Sequence, residues 1–284
     1  MAEKIALLVD SAMDTPKEIL DKGGIFIAPL NIIYKNETFL DRVEITPMEV
    51  YNHLEIEIPT TSLPTLPYVE DLISDIKTQG YDKIACLTIS SGLSGTHNAL
   101  RLILEDHPEI ESFIVDTKNI GMGAGIQAAY LKKEIDNGTS FTELKTIAEK
   151  IAQTTDIYFS IPTLEYLKKG GRIGLVSSFI GTALNLNPII SCNEDGIYYT
   201  VSKARGRTKS LNKILEQIEK VASGLQSYDL AISYGMDVEE AKKLTVKLKE
   251  ALPNYRYLYS GDVSPVLGVH SGPGIIGIAI IPIS

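Results

Sequence analysis

From residue 4 onward, short runs of aliphatic and β-branched residues alternate with amphipathic runs; KIALLVD, IFIAPLNIIY, KIACLTIS and SFIVDT are the apolar members. Strands covered on both faces read as near-continuous apolar runs, so this alternation predicts a largely parallel sheet with crossover helices. The helices have readable starts. Thr15 with Pro16, and Thr46 with Pro47 and Glu49, set a cap, a first-turn proline and, in the second case, a capping-box acid in order. Gly23 and Gly24 would stop the first helix. Val69, Leu72, Ile73 and Ile76 recur at helical spacing after Pro67, and Ser140 with Glu143 caps a helix marked by Leu144, Ile147, Ala148 and Ile151.

Past Thr155 the rhythm changes. DIYFSIP leads into a glycine-rich link and then NPIISCNEDGIYYTVSKA, where NEDG between two strand-like arms reads as a hairpin turn. Amphipathic helices at about 208–222 and 238–251 follow, and YDLAISYG, YRYLYSGDV and GIIGIAIIPI supply further strands. The expected fold is two-domain α/β: an N-terminal parallel-sheet domain over 1–154 and a C-terminal domain over 155–284 with a mixed or antiparallel sheet flanked by helices.

Acidic residues outnumber basic ones 36 to 27, for a net charge of −9, and no Lys/Arg run could neutralise a string of phosphates. Nucleic acid is therefore not an expected partner. Cys86 and Cys192 sit in apolar stretches without zinc or redox spacing and read as buried free thiols of a reducing compartment. No apolar stretch reaches the roughly 18 residues of a membrane span, so the expectation is a cytoplasmic protein without stable membrane insertion.

Ligands of open parallel sheets bind beyond the carboxyl ends of the strands. Those ends carry Asp10–Ser11, Ser90–Ser91 and Asp116–Thr117, a rim of small polar groups. In ISSGLSGTHNAL, Gly92 and Gly95 permit a tight turn, Ser94 offers a hydroxyl, and a helix starting near Thr96 presents unpaired N–H groups. That turn suits a small anion, or it is an ordinary capped strand-to-helix junction. It lacks both the G-x-S-x-G elbow and a phosphate loop. PTTSLPT (59–65) and HSGPG (270–274) have the same polar, conformationally restricted character. His53, His97 and His107 read as surface residues; His270 alone is flanked by small flexible ones, with no partner at metal-ligand spacing.

Together, Asp10–Ser11, Thr61–Ser62, SSGLSGT (90–96), LKKGGRI (167–173), Asn187–Pro188–Ile189 and HSGPG resemble the motif series of the DegV family, in order along the whole chain. The resemblance implies a bacterial, non-catalytic subunit that binds a long-chain fatty acid between two α/β domains. It would present the carboxylate to a separate ATP-dependent fatty acid kinase subunit, which makes an acyl phosphate for phospholipid synthesis. Thr61, Ser94 and His270 match the family's carboxylate contacts, with Ser62, Gly95, Thr96 and Asp10 as a surrounding rim. Arg172 and Arg205 match positions on the face that meets the kinase. No cofactor or metal is implied. Leu63, Thr117, Gly121 and Asn187 depart from the family's usual residues (glutamine, two serines and lysine).

The apolar, glycine-spaced stretch 174–190 reads as a wall of the acyl tunnel or as plain core. Two other functions compete: a Ser/His hydrolase of small esters built on Ser94 and His270 with Asp10 or Asp116 orienting the imidazole, and a lipid sensor without a kinase partner.

Overall fold

The structure is a computed structural model and describes residues 3–179 and 186–283. Strand β1 (Ile5–Asp10) is buried at every residue, as a strand covered on both faces must be. It ends in a 3₁₀ turn, Ser11–Met13, whose Ala12 N–H donates to Asp10 Oδ1 at 3.0 Å. Helix α1 (Lys17–Leu20) follows, and Gly23 and Gly24, at φ 75° and 72°, stop it as expected. Its cap differs from expectation: Pro16 occupies the cap position, and the Thr15 hydroxyl is buried without a partner.

The run IFIAPLNIIY is not one strand. Pro29 has no N–H to give a ladder, and Leu30 N donates to Ser11 Oγ at 3.0 Å, so the run divides into β2 (Ile25–Ala28) and β3 (Asn31–Ile33). β3 joins β4 (Thr38–Leu40) and β5 (Thr60–Ser62) in a separate antiparallel sheet. Between those strands, α2 (Pro47–His53) starts with the anticipated capping box: Thr46 N donates to Glu49 Oε2 at 2.8 Å, and Glu49 N returns to Thr46 Oγ1 at 3.3 Å.

α3 (Leu66–Thr78), β6 (Lys83–Thr88), α4 (Thr96–Glu105) and β7 (Glu111–Asp116) complete an all-parallel sheet ordered β2-β1-β6-β7. Val69, Ile73, Ile76, Leu100 and Leu104 pack on one face against Ala6, Leu8, Ile84 and Cys86. The other face meets α5 (Met122–Asp136) and α6 (Phe141–Thr154), the latter with its own Ser140–Glu143 capping box.

Beyond them come β8 (Asp156–Ser160), α7 (Glu165–Lys169), β9 (Leu186–Cys192), β10 (Tyr198–Arg205), α8 (Arg207–Ala222), β11 (Ser227–Tyr234), α9 (Val238–Ala251), β12 (Tyr255–Asp262), α10 (Pro265–Ser271) and β13 (Ile276–Ile283). The mixed sheet is ordered β10-β9-β8-β13-β11-β12, antiparallel except for the β11–β12 pair. NEDG closes the β9–β10 hairpin, with Asn193 Oδ1 accepting from Ile197 N at 2.8 Å and Gly196 at φ 73°.

The helix α5 explains how the sheets are joined. Its Gly123, Ala124, Gly125, Ala128 and Ala129 are all buried, and it touches β1 on one side and β11 and β13 on the other. A helix without a polar face belongs inside a core. The layers therefore run α3/α4, parallel sheet, α5/α6, mixed sheet, α8/α9, and the largest apolar cluster spans both inner sheet faces. Cys86 is buried and Cys192 half-buried, both as free thiols. Among the described residues no helix is long and apolar enough to cross a membrane.

Candidate functional site

β1 connects to β2 on one side and neighbours β6 on the other, so the parallel sheet has its switch point between β1 and β6. A cavity opens there. Ala12, Ile89 and Ile120 line it from beyond the ends of β1, β6 and β7; Ile157, Phe159 and Tyr198 line it from the mixed sheet; Val266 and Leu267 come from α10. The wall is mainly aliphatic, as small-molecule pockets are, with polar groups at few points.

Thr61 on β5, Ser94 before α4, Arg172 after α7 and His270 at the end of α10 all line this cavity. Thr61 Oγ1 and His270 Nε2 are 2.8 Å apart. Burial, and then the positive charge of Arg172, push the His270 pKa down to about 4, so the imidazole is neutral at pH 7. Its ring is seated on Gly170, where a Cβ would lie 2.7 Å from Cε1. With the proton on Nε2 donating to Thr61, the threonine O–H is free to donate into the cavity.

Ser94 is arranged in the same way. Its Oγ accepts from Thr96 N at 3.3 Å and lies 2.8 Å from Thr96 Oγ1, so a donating Thr96 hydroxyl leaves the Ser94 hydrogen free. Arg172 Nη1 donates to Gly170 O at 2.7 Å and Nε reaches Leu93 O at 3.4 Å; among the described residues it pairs with no carboxylate. Two hydroxyl donors, an imidazole and a guanidinium beside an apolar channel can hold one carboxylate with its tail buried.

The remaining rim residues have other work. Asp10 is 1% exposed and caps backbone N–H groups, Ala12 N at 3.0 Å and Ile89 N at 2.8 Å, so it fastens the ends of β1 and β6 together. Thr96 supports Ser94, Gly95 lies against Leu63, and the Ser62 hydroxyl accepts from Asn31 Nδ2 at 3.2 Å. Ser90 Oγ donates to Gly196 O at 2.9 Å, tying the polar turn to the hairpin; Gly92 permits that approach, since a Cβ there would lie 2.7 Å from Asp195 O. Of the turn's serines only Ser94 faces the cavity.

Several placements differ from expectation. Arg172, anticipated on a docking face, lines the cavity, because its guanidinium satisfies the carbonyls of Gly170 and Leu93. Arg205 is exposed at the end of β10 and stays away from the cavity. The 174–190 stretch contributes no lining residue among its described positions: Val176, Ile189 and Ile190 are core, and residues 180–185 lie outside the described residues. Thr117 is buried with its hydroxyl on Thr88 O, Asn187 is buried on β9, and Gly121 lines the cavity. His53 is exposed as expected, but His97 and His107 are half-buried, on Thr88 and on Glu70 and Glu109 respectively. Asp14, which the sequence reading passed over, lines the cavity too.

The hydrolase geometry is not assembled. His270 bonds to Thr61, no carboxylate among the described residues is bonded to Nδ1, and Asp10 and Asp116 accept from the backbone N–H groups of Ile89 and Ser91.

Comparison with known proteins agrees with this architecture. The sequence profile of the DegV family, described as "Uncharacterised protein, DegV family", matches residues 4–283. A DegV domain-containing protein of Clostridium acetobutylicum is 41% identical over 98% of this chain and 99% of its own, and Protein DegV of Bacillus subtilis is 28% identical over 96% and 98%. Among solved structures, a DegV family protein from Thermus thermophilus described for its fatty acid binding superposes with a TM-score of 0.91 at 28% identity, covering 99% of this chain and 100% of that one. A stearic acid-binding protein from Eubacterium ventriosum gives 0.87 at 28% identity, covering 99% and 98%. With the motif series, the layered fold and a full-length profile match in agreement, this chain belongs to the DegV family.

Proposed function

We propose that this protein binds one long-chain fatty acid between an N-terminal domain, 1–154, and a C-terminal domain, 155–284, and presents its carboxylate to a separate ATP-dependent kinase subunit for conversion to an acyl phosphate. The observation that carries the reading is the mainly aliphatic cavity whose lining includes Thr61, Ser94 and His270, with Thr61 Oγ1 2.8 Å from His270 Nε2. Each buried methylene contributes about 0.8 kcal/mol, so the tail supplies most of the affinity and the hydroxyls fix its register. Fatty acid binding by the Thermus thermophilus and Bacillus subtilis DegV proteins, similar over nearly their full length, supports the ligand class. The kinase step rests on the family resemblance alone.

The test is mass spectrometry of lipid extracted from purified protein, followed by melting of the delipidated protein with added oleate or palmitate. About one intact fatty acid per chain is expected. Ligand at about 100 times Kd should stabilise the fold by about 2.7 kcal/mol. A delipidated protein whose melting temperature ignores both acids would refute the reading.

A further inference from the structure

Among the described residues, two that line the cavity carry a buried polar atom without a hydrogen-bond partner: His270, through Nδ1, and Asp14, through Oδ2. The first sits at the carboxylate end already described. The second is a buried carboxyl group with no part in it.

Asp14 is 3% exposed and its backbone is left-handed, at φ 49°. Such a conformation persists where the surroundings over-determine it, and here α5 presses on its backbone at Gly125, where a Cβ would lie 2.6 Å from Asp14 O. Its Oδ1 is occupied, accepting from Arg42 Nη2 and Ser264 N, each at 3.0 Å. Arg42 is itself committed to Asp262, 3.1 Å from Nη1. Burial raises the Asp14 pKa, opposed chiefly by the Arg42 guanidinium, and the Ser264 hydroxyl makes no hydrogen bond. Oδ2 instead faces Gly121: a Cβ built there would lie 3.3 Å from Oδ2 and 3.3 Å from Leu267 Cδ1, and all three residues line the cavity. A methylene resting over Gly121 would leave a buried carboxylate oxygen against hydrocarbon, which is unfavourable, whereas a hydroxyl in that place would satisfy it.

We propose that Asp14 is a specificity residue that selects long-chain fatty acids bearing a mid-chain hydroxyl, which donates to Oδ2. This rests on the fatty-acid reading given above. The position follows from α10: Asp14 holds its leading residue Ser264, and His270 comes six residues later, roughly 9 Å along a helix rising about 1.5 Å per residue. The hydroxyl therefore belongs well down the chain, away from the carbons next to the carboxylate.

The test compares dissociation constants of octadecanoic, 2-hydroxy-, 10-hydroxy- and 12-hydroxyoctadecanoic acids for the delipidated protein. A 10- or 12-hydroxy acid should bind about tenfold more tightly than octadecanoic acid, as one buried hydrogen bond to a carboxyl group allows, and the 2-hydroxy acid should gain nothing. Asp14→Ala should bring the ratio close to one. Should that variant fail to fold, Gly121→Ala, which costs some backbone strain at φ 53°, puts a methyl in front of Oδ2 and should do the same. Equal affinities in the wild type, an equal gain from the 2-hydroxy acid, or a preference intact in both variants would overturn the assignment while leaving the fatty-acid reading in place. No binding of octadecanoic acid or any hydroxy acid would overturn both.

Discussion

His270 and the buried acids near the cavity respond to pH in opposite directions. The imidazole, held at about 4 by burial and Arg172, titrates near 6.5 once unfolded. As pH falls through 6.5 the unfolded chain takes the proton first, so His270 removes stability progressively down to about pH 4 and no further below it, at most about 3 kcal/mol. Burial raises Asp10 to about 7 and Asp41 to about 6. Their folded forms keep a proton that the unfolded chain has released, so they remove stability as pH rises from about 4 towards those values. The His270 part must therefore be read as a difference: in denaturant melts, His270→Gln should lose less stability than the wild type between pH 6.5 and 4, and parallel curves would show that the imidazole does not titrate low. At pH 7, Thr61→Ala, Ser94→Ala and His270→Ala should each weaken fatty-acid binding by about 1–3 kcal/mol in calorimetry, with the fold retained. In sequence, small polar groups among glycines and prolines marked the stretches that hold these three residues, and the resemblance to the DegV family is what singled them out. Arg172 and Asp14 were not, since their roles depend on partners far along the chain: Leu93 O, 79 residues away, and Ser264 N, 250 residues away.

Elements with local signals were readable, and those fixed by tertiary contact were not. The capping boxes at Thr46 and Ser140 and the Asn193–Gly196 turn are set by residues within five positions of one another, so the sequence carries them. The division of IFIAPLNIIY depends on Ser11, which takes Leu30 N away from a ladder, and only Pro29 hinted at it. α7 and α10 were not among the helices read from the sequence. Ser264 followed by Pro265 was the available sign of α10, the same order as Thr46–Pro47, and the helix matters because it carries His270. α7 ends at Gly170 against that imidazole, which gives an element-scale prediction. Gly170→Ala should displace the ring from Thr61, lowering affinity for oleate about tenfold and stability by about 1–3 kcal/mol through overpacking. Gly171→Ala is the control. Gly171 has φ 72° and nothing within 4 Å of its Cβ position, so it should cost stability through strain alone and leave calorimetric affinity unchanged.

For the whole molecule, α5 unites two sheets into one layered body, a feature its sequence signals only by lacking a polar face. The alternation of strand and helix gave the class of each sheet, but not that the two share a helical layer or that the cavity lies where α10 returns to the parallel sheet's rim. That arrangement separates the two arginines that looked alike in sequence. Arg172 lines the cavity, close enough for its charge to act on His270; Arg205 lies exposed on β10, an edge strand of the mixed sheet, outside the cavity lining. Charge reversal should therefore have different consequences at the two sites. Arg172→Glu places a carboxylate beside the ligand's own and should lose lipid, so extracted fatty acid per chain falls well below one. Arg205→Glu touches no ligand contact and should keep wild-type occupancy. If the exposed guanidinium docks a kinase subunit through carboxylate or phosphate, that variant should cut acyl-phosphate formation with kinase, ATP and magnesium, most strongly at subsaturating carrier, where a long-range charge governs encounter. Added salt should narrow the gap by screening the wild type. Wild-type phosphorylation by Arg205→Glu at every carrier concentration would remove Arg205 from the docking surface, and full lipid retention by Arg172→Glu would remove Arg172 from the carboxylate site.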